Sequence, residues 1–312
     1  MKRLIIFILA TVAIVVVLDV VCGKAMKSYT QTHTLPGDCA AIDYTTKQAD
    51  EELIILGNSH VLNSLMPSIL SDSLGMSVYN GASNGQTLPF FHSMLECILA
   101  RHTPKAIILG IDDGIFSSSG PGERYNILAP YYGMGYAMID SCLADGSMTQ
   151  KLMINSTFYR FNSIWWRILL YHIVKDKEHS ADGFIAKPVP AQAPKRHLID
   201  QDGEINPQRM EEFRAMLQKC SDKGIKVAVF MTPQYYEDRT QHTIRKALQT
   251  EIAHFDNATL IDDSSDSLFM ASPRLFFDNT HLNAEGAEIY SRMAAPRLKK
   301  FLLGEVLSDK KQ

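Results

Sequence analysis

Residues 53–60 read "LIILGNSH": four aliphatic side chains in succession, then glycine, asparagine, serine and histidine. A continuous apolar run of this length, without polar alternation, suits a strand covered on both faces, as in a parallel sheet. The glycine marks a turn, and Asn58 or Ser59 offers a side-chain oxygen for the N-cap of a following helix. The same pattern recurs along the chain. "SVYN" at 77–80, "AIILGI" at 106–111, "KVAVFMT" at 226–232 and "ATLIDD" at 258–263 are further short apolar runs. Amphipathic stretches between them predict helices at about 61–74, 87–102, 207–223, 240–254 and 284–302. Such alternation predicts an α/β fold: a doubly wound, three-layer αβα sandwich with a mainly parallel sheet, whose sites form beyond the carboxyl ends of the strands.

Composition narrows the function classes. The chain has 312 residues, 46% of them hydrophobic, and a formal net charge of −3, enough for one globular domain with a sizeable core plus an appendage. No stretch combines clustered Lys/Arg with interleaved aromatics, so a nucleic-acid partner is not expected. The appendage is Met1-Lys2-Arg3 followed by "LIIFILATVAIVVVLDVVCG", apolar over 4–18 except for Thr11 and interrupted by Asp19. Two cations ahead of such a run predict a transmembrane helix with a cytoplasmic N-terminus and an exported remainder. Gly23 and Ala25 make a poor cleavage site, and Val21 before Cys22 a poor lipoprotein signal, so residues 1–23 are expected to persist as an anchor.

Residues 24–50 are polar, show neither helical nor strand periodicity, and carry Pro36-Gly37; they read as a tether. The globular domain is expected over 51–303, with a polar tail at 304–312. Residues 117–206 are too long for a loop and predict a helical insertion. It contains "FYRFNSIWWRILLYHIV", whose aromatics, including Trp165 and Trp166, read as helix packing. The five cysteines are scattered with no CxxC pair, which argues against a zinc knuckle or a thioredoxin-type motif and identifies no disulfide. Asp262, Asp263 and Asp266 lack calcium-loop spacing and read as a solvated loop; no metal or cofactor is expected. His92, His102, His242 and His254 form no HExxH arrangement.

Three turn signals directly follow predicted strands: Gly57-Asn58-Ser59-His60, the Asn80–Gly85 stretch, and the Gly110–Gly114 stretch. A fourth, Asp278-Asn279-Thr280-His281, precedes the last helix. A serine hydroxyl is a weak nucleophile at neutral pH and needs an imidazole to take its proton, with a carboxylate to orient that imidazole. Ser59, His281 and Asp278 supply these types, and Gly85 offers a backbone N–H to an oxyanion.

In these blocks the chain resembles the SGNH, or GDSL-like, hydrolases over about 51–116 and 207–303. "ILGNSH" is similar to that family's first block with Ser59 as nucleophile, "NGASNGQT" to its second with Gly85 as oxyanion donor, and "DNTHLNAEGAEIYS" to its last with Asp278 and His281. The resemblance implies a catalytic triad of Ser59, His281 and Asp278. It also places Asp112, in "LGIDDG", where the family has an asparagine that donates to the oxyanion. An ionised carboxylate is acceptor-only. Asp112 is therefore either protonated, or orients another donor or water, or leaves the oxyanion to the backbone N–H groups of Ser59 and Gly85. Asn58, His60 and Asn84 are expected as substrate contacts, although turn geometry alone also explains Asn58 and Asn84. Asp113 reads as a capping or strand-end residue.

The function expected from this reading is a membrane-anchored, extracytoplasmic serine esterase or O-acyltransferase. It would act on O-acyl groups, acetyl first, of a glycan or cell-envelope polymer. A variant of the reading has it working with a membrane-bound acyltransferase. The alternative, motivated by Asp112, is a non-catalytic glycan-binding or scaffold protein of an envelope acylation complex.

Overall fold

The five apolar runs pair into one sheet in the computed structural model, which describes all residues except 37–38, 123–124, 145–146, 163, 175–180, 200–202, 239–242 and 305–312. The first elements are α1 (Lys2–Thr32), α2 (Cys39–Lys47), β1 (Leu53–Gly57), α3 (Ser59–Leu62), α4 (Pro67–Leu74), β2 (Val78–Asn80), α5 (Leu88–Leu99), β3 (Ala106–Gly110) and α6 (Asp113–Phe116). After them come α7 (Ala137–Ala144), α8 (Met148–Met153), α9 (Thr157–Arg160), α10 (Ile164–Val174), β4 (His197–Ile199) and α11 (Pro207–Asp222). The last are β5 (Lys226–Met231), β6 (Tyr236–Asp238), α12 (Thr243–Ile252), β7 (Ala258–Asp262), α13 (Ser267–Met270) and α14 (Ala284–Leu303). The chain divides into a helical unit, Met1–Asp43 with Tyr125–Lys177, and a sheet unit, Tyr44–Arg124 with Glu178–Gln312.

In the sheet unit the strand order is β2-β1-β3-β5-β7, and every pairing is parallel. The order reverses between β1 and β3, which run in register from Leu53 opposite Ala106 to Gly57 opposite Gly110. A crevice beyond the carboxyl ends of these two strands is where such a sheet places a site. On one face Leu53, Ile55, Ile108 and Phe230 pack with Val61 and Leu70 of α3 and α4 and with Tyr290 and Leu298 of α14. On the other, Ile54, Leu56, Ile107, Leu109, Val227 and Val229 are buried, with α5 against β1 and α11 against β5. Burial on both faces is the reason these strands read as unbroken apolar runs. The two-stranded parallel sheet β4-β6 stands apart from the main one.

The helix expected at 61–74 is two helices. Met66 is extended and Pro67, which has no N–H to continue a helix, opens α4. Asn80, fully buried, binds across the break, its amide donating to Val61 O (3.2 Å), which also accepts the Leu65 N–H (3.1 Å), and to Leu65 O (3.1 Å). The acidic cluster is not a solvated loop. Asp263 is 4% exposed; both its oxygens are gripped by Arg297 at 2.6 Å, and one also accepts the Tyr290 hydroxyl at 2.9 Å. Paired and hydrogen-bonded in this way, a carboxylate can be buried. Asp262 accepts from Ser264, and Asp266 caps α13.

In the helical unit α1 runs nine residues beyond Gly23, so the first part of the expected tether is helical; α2 occupies 39–47 of the remainder, and the division between the units falls within it, after Asp43. "KAMKSYTQT" holds no breaker before Pro36, and the helix continues until the chain turns near it. The expected insertion is split: 125–177 belongs to the helical unit, and 117–124 and 178–206 to the sheet unit. Trp165 packs against Phe158 and Phe161, with ring centroids 6.4 and 6.2 Å away. Trp166 is 70% exposed and does not serve helix packing. The tail beyond Gly304 and residues 240–242 of the expected fourth helix lie outside the described residues. None of the five cysteines forms a disulfide, and burial pushes the thiols of Cys97 and Cys220 up to about 12.

Two paired glycines decide how closely α3 can settle on the strand ends. A Cβ on Gly110 would lie 2.3 Å from both methyl carbons of Val61, and one on Gly57 would lie 2.5 Å from Val61 Cγ2 and 2.8 Å from Gly110 O. Gly110→Ala is therefore expected to destabilise the chain by about 1–3 kcal/mol through overpacking. Val61→Ala in the same chain should restore part of the loss, as thermal or urea unfolding in detergent would show. Strict additivity of the two substitutions would contradict the close approach.

Candidate active site

Ser59 stands two residues beyond the end of β1, at the first position of α3. Asn58 is the N-cap: it is extended, and its Oδ1 accepts the N–H of His60 at 3.0 Å. Asn58 is 7% exposed and its Nδ2 donates to Asp112 Oδ2 at 2.6 Å. Asp112 in turn caps α6, accepting the N–H of Ile115 on Oδ1 at 3.2 Å. The turn after β2 is tied alongside, since Gly81 N–H donates to Ile55 O (2.8 Å) and Ser83 N–H to Gly57 O (3.0 Å). Gly85 lies in that turn with φ 66°, a left-handed conformation that glycine adopts without a steric penalty.

The distant partner arrives on the segment between Phe276 and Leu282, which bridge each other in antiparallel fashion. Phe277 N–H donates to His281 O at 2.8 Å, closing the turn. Asn283, fully buried, caps α14 at Gly286 N–H (3.0 Å) and donates to Arg274 O (2.6 Å). Asn279 donates to Tyr235 O (3.1 Å), and Tyr235 N–H returns a bond to Asn279 O (2.8 Å).

Held this way, His281 Nε2 lies 2.8 Å from Ser59 Oγ. Its Nδ1 lies 2.9 Å from each oxygen of Asp278. Asp278 Oδ1 also accepts from the backbone N–H groups of Thr280 (2.8 Å) and His281 (2.9 Å) and from the Thr280 hydroxyl (2.9 Å). Burial pushes the Asp278 carboxyl up, but the hydrogen bonds from His281 and Thr280 and the charge of the imidazole outweigh it and hold the group below its usual range. An ionised Asp278 keeps the proton of neutral His281 on Nδ1 and leaves the Nε2 lone pair facing the serine hydroxyl. The three side chains thus form a hydrogen-bonded Ser–His–Asp relay.

The remaining expected residues divide. Both oxygens of Asp112 accept hydrogen bonds, from Asn58 and from Ile115, so it orients the turn that carries Ser59. Asn58 is largely occupied by the same bonds. Asn84 is exposed, and its carbonyl accepts from Gln86 at 3.2 Å. Asp113 pairs with Arg245 at 2.6 Å, with burial pushing its carboxyl up against the pull of that guanidinium. His60 packs its ring edge-on to His281, with centroids 5.6 Å apart, and its Nδ1 accepts from Gln234 at 3.1 Å. Gln234 and Tyr236 were not foreseen. Burial, with the nearby charges of Asp278 and Asp112, pushes the Tyr236 phenol up, which keeps it protonated beside the relay. "TPQYYED", a Pro followed by polar and aromatic residues directly after β5, was the available signal.

Fold and relay together define a doubly wound α/β protein with a Ser–His–Asp triad at the carboxyl ends of its strands. No family model and no curated protein matches the sequence. Among solved structures, the chain is similar to the lipase/acylhydrolase from Enterococcus faecalis, at 12% identity over 79% of this chain and 95% of that one, with a TM-score of 0.40. It is also similar to a "putative lipolytic protein of G-D-S-L family" from Desulfitobacterium hafniense, at 13% identity over 78% of this chain and 97% of that one, with a TM-score of 0.39.

Burial holds the His60 imidazole below its usual range; Asp112 pulls it up, His281 lowers it further and Asp278 raises it. The folded pKa is thus below that of an unfolded histidine, about 6.5. Between the two values the unfolded chain binds the extra proton, so stability falls as pH drops below about 6.5. Unfolding measured across that interval is expected to show this slope reduced in His60→Gln. An unchanged slope would mean that His60 protonates as readily folded as unfolded.

Proposed function

We propose that the chain is a serine esterase or O-acyltransferase of the SGNH type, anchored in a membrane by α1. Its substrates are O-acyl groups, acetyl first, of a glycan or cell-envelope polymer outside the cytoplasm. The observation that carries the reading is the relay itself, with Ser59 Oγ 2.8 Å from His281 Nε2 and His281 Nδ1 2.9 Å from Asp278. These distances are those general-base activation of a hydroxyl requires.

Ser59 Oγ attacks the acyl carbonyl as its proton passes to His281 Nε2, and Asp278 stabilises the imidazolium. The oxyanion accepts from the backbone N–H of Ser59, which as the first helical residue has no carbonyl in its own helix to bind, and from that of Gly85. Collapse expels the sugar oxygen, which takes the proton from His281 and leaves an acyl-Ser59. Water or an acceptor hydroxyl, deprotonated by His281, then releases the acyl group. Water gives hydrolysis and the acceptor hydroxyl gives transfer, by one set of residues.

The membrane part of the proposal draws on α1, a helix long and apolar enough to cross a bilayer, and on Lys2 and Arg3 ahead of it, which favour export of the chain beyond the helix. The non-catalytic alternative drew on Asp112. Its bonds to Asn58 and Ile115 give that carboxylate a positioning task compatible with turnover.

The full chain in detergent is expected to hydrolyse p-nitrophenyl acetate and to release acetate from an O-acetylated polysaccharide, followed by NMR. Ser59→Ala should lower turnover by on the order of 10³-fold or more. Wild-type rates in Ser59→Ala, or no turnover of either ester by the wild type, would refute the catalytic reading.

A further inference from the structure

Every large apolar side chain of α1 from Leu4 to Val21 is exposed. Asp19 interrupts this surface but is not a free charge. Its Oδ1 accepts from Ser156 Oγ (2.9 Å) and from the N–H of Phe158 (2.8 Å), and its Oδ2 from the N–H of Thr157 (3.0 Å). The carboxylate thus satisfies the first turn of α9, a task that leaves it few lone pairs to hydrate. One turn further along α1, a Cβ on Gly23 would lie 2.5 Å from Thr157 Oγ1, so glycine permits the close approach. Arg160 clamps the same point, donating to Tyr132 O (2.9 Å) and Thr157 Oγ1 (3.2 Å). These bonds fix α9 at the level of α1 where its apolar run ends.

The helix after α9 has an unusual surface. Phe161 and Ile164 point inward and are buried, whereas Trp166, Leu169, Leu170 and Ile173 of α10 are 70%, 51%, 53% and 71% exposed. Their spacing of i, i+3, i+4 and i+7 is the stripe by which a helix normally meets a core, yet within the helical unit it faces outward. Phe158 of α9, whose ring lies 6.4 Å from that of Trp165, is exposed as well, as are Met148 and Leu152 of α8. Lys24 and Lys27 are exposed on the next turns of α1 beyond Asp19. They line, with Asp19 and Arg160, a cavity of about 330 Å³ at that level.

We propose that the apolar stripe of α10, with Phe158, lies in the headgroup boundary of the bilayer that α1 crosses, so that the helical unit is held on the membrane surface and not merely tied to it. Asp19 sets the depth. A residue at the end of the span belongs at the boundary between hydrocarbon and headgroups, and the elements it caps share that level. Tryptophan favours this zone, and an amphipathic helix buries its apolar face there while lysines above it meet lipid phosphates. The inference rests on α1 spanning a bilayer and is independent of the chemistry at Ser59.

The chain has two tryptophans, so Trp165→Phe leaves Trp166 as the only one. The full-length variant is reconstituted in phosphatidylcholine/phosphatidylglycerol vesicles, some with lipids brominated near the carbonyl end of the acyl chain. Trp166 is expected to lose about half its emission to these shallow bromines, the depth at which interfacial tryptophans sit, and to resist quenching by aqueous iodide. Ile173→Trp, with both native tryptophans replaced by Phe, reads the other end of the stripe and should behave alike. Retention through an alkaline carbonate wash reports on α1 separately. Iodide-accessible, bromolipid-insensitive tryptophans in a chain that resists the wash would overturn the proposal and point to a protein partner for the stripe. Release by the wash would overturn the spanning of α1 and the proposal with it.

Discussion

The hydrogen bond between Ser59 Oγ and His281 Nε2 joins residues 222 positions apart, and many buried polar contacts of the sheet unit serve one of its two ends. At the serine end, Asn80 holds the carbonyls of Val61 and Leu65, Asn58 caps α3, and Asp112 holds Asn58. At the histidine end, Asn279 and Asn283 bind the loop to Tyr235 and Arg274, and Asp278 gathers N–H groups from Thr280 and His281. Buried amides recur because each can donate and accept at once, and a satisfied polar network in a low-dielectric interior fixes one geometry. Two glycines do the complementary steric work, since Gly57 and Gly110 let Val61, and with it the turn of Ser59, lie directly on the strand ends.

Asp112 shows how a carboxylate can stand close to a Ser–His–Asp relay with both its oxygens given donors. Its two oxygens face an amide N–H of Asn58 and the N–H of Ile115, so it ties the turn that carries Ser59 to the start of α6. His60 behaves similarly: with Nδ1 accepting from Gln234, the ring proton is on Nε2 and the imidazole remains neutral beside His281.

Much of this was legible in the sequence for definite physical reasons. Strands buried on both faces read as continuous apolar runs, and "LIILG" and "AIILG" coincide with β1 and β3. The relay was legible because its members sit at turns of fixed kind: a glycine-ended strand for Ser59 and an Asp-x-x-His loop before α14. What the sequence did not disclose depends on partners far along the chain. Asp263 looked solvated because Arg297 is 34 positions away. Asp112 looked like a misplaced oxyanion group because its partner, Asn58, is 54 positions away. "WWRILLYHI" carried the stripe of a packing helix, but periodicity fixes only which residues share a face, and Trp166 lies on the exposed one. The break before α4 was available in Pro67 and was overridden by the helical spacing around it.

Catalysis by this chain requires Ser59 to be an activated nucleophile rather than only the first residue of a short helix. The most direct measurement treats the full-length chain with a fluorophosphonate and maps the adduct by peptide mass spectrometry. The relay predicts a single phosphonyl adduct on Ser59, absent in His281→Ala, where the hydroxyl remains but its base is gone. Labelling that survives His281→Ala at the wild-type rate, or an adduct on another residue with Ser59 unmodified, would contradict it.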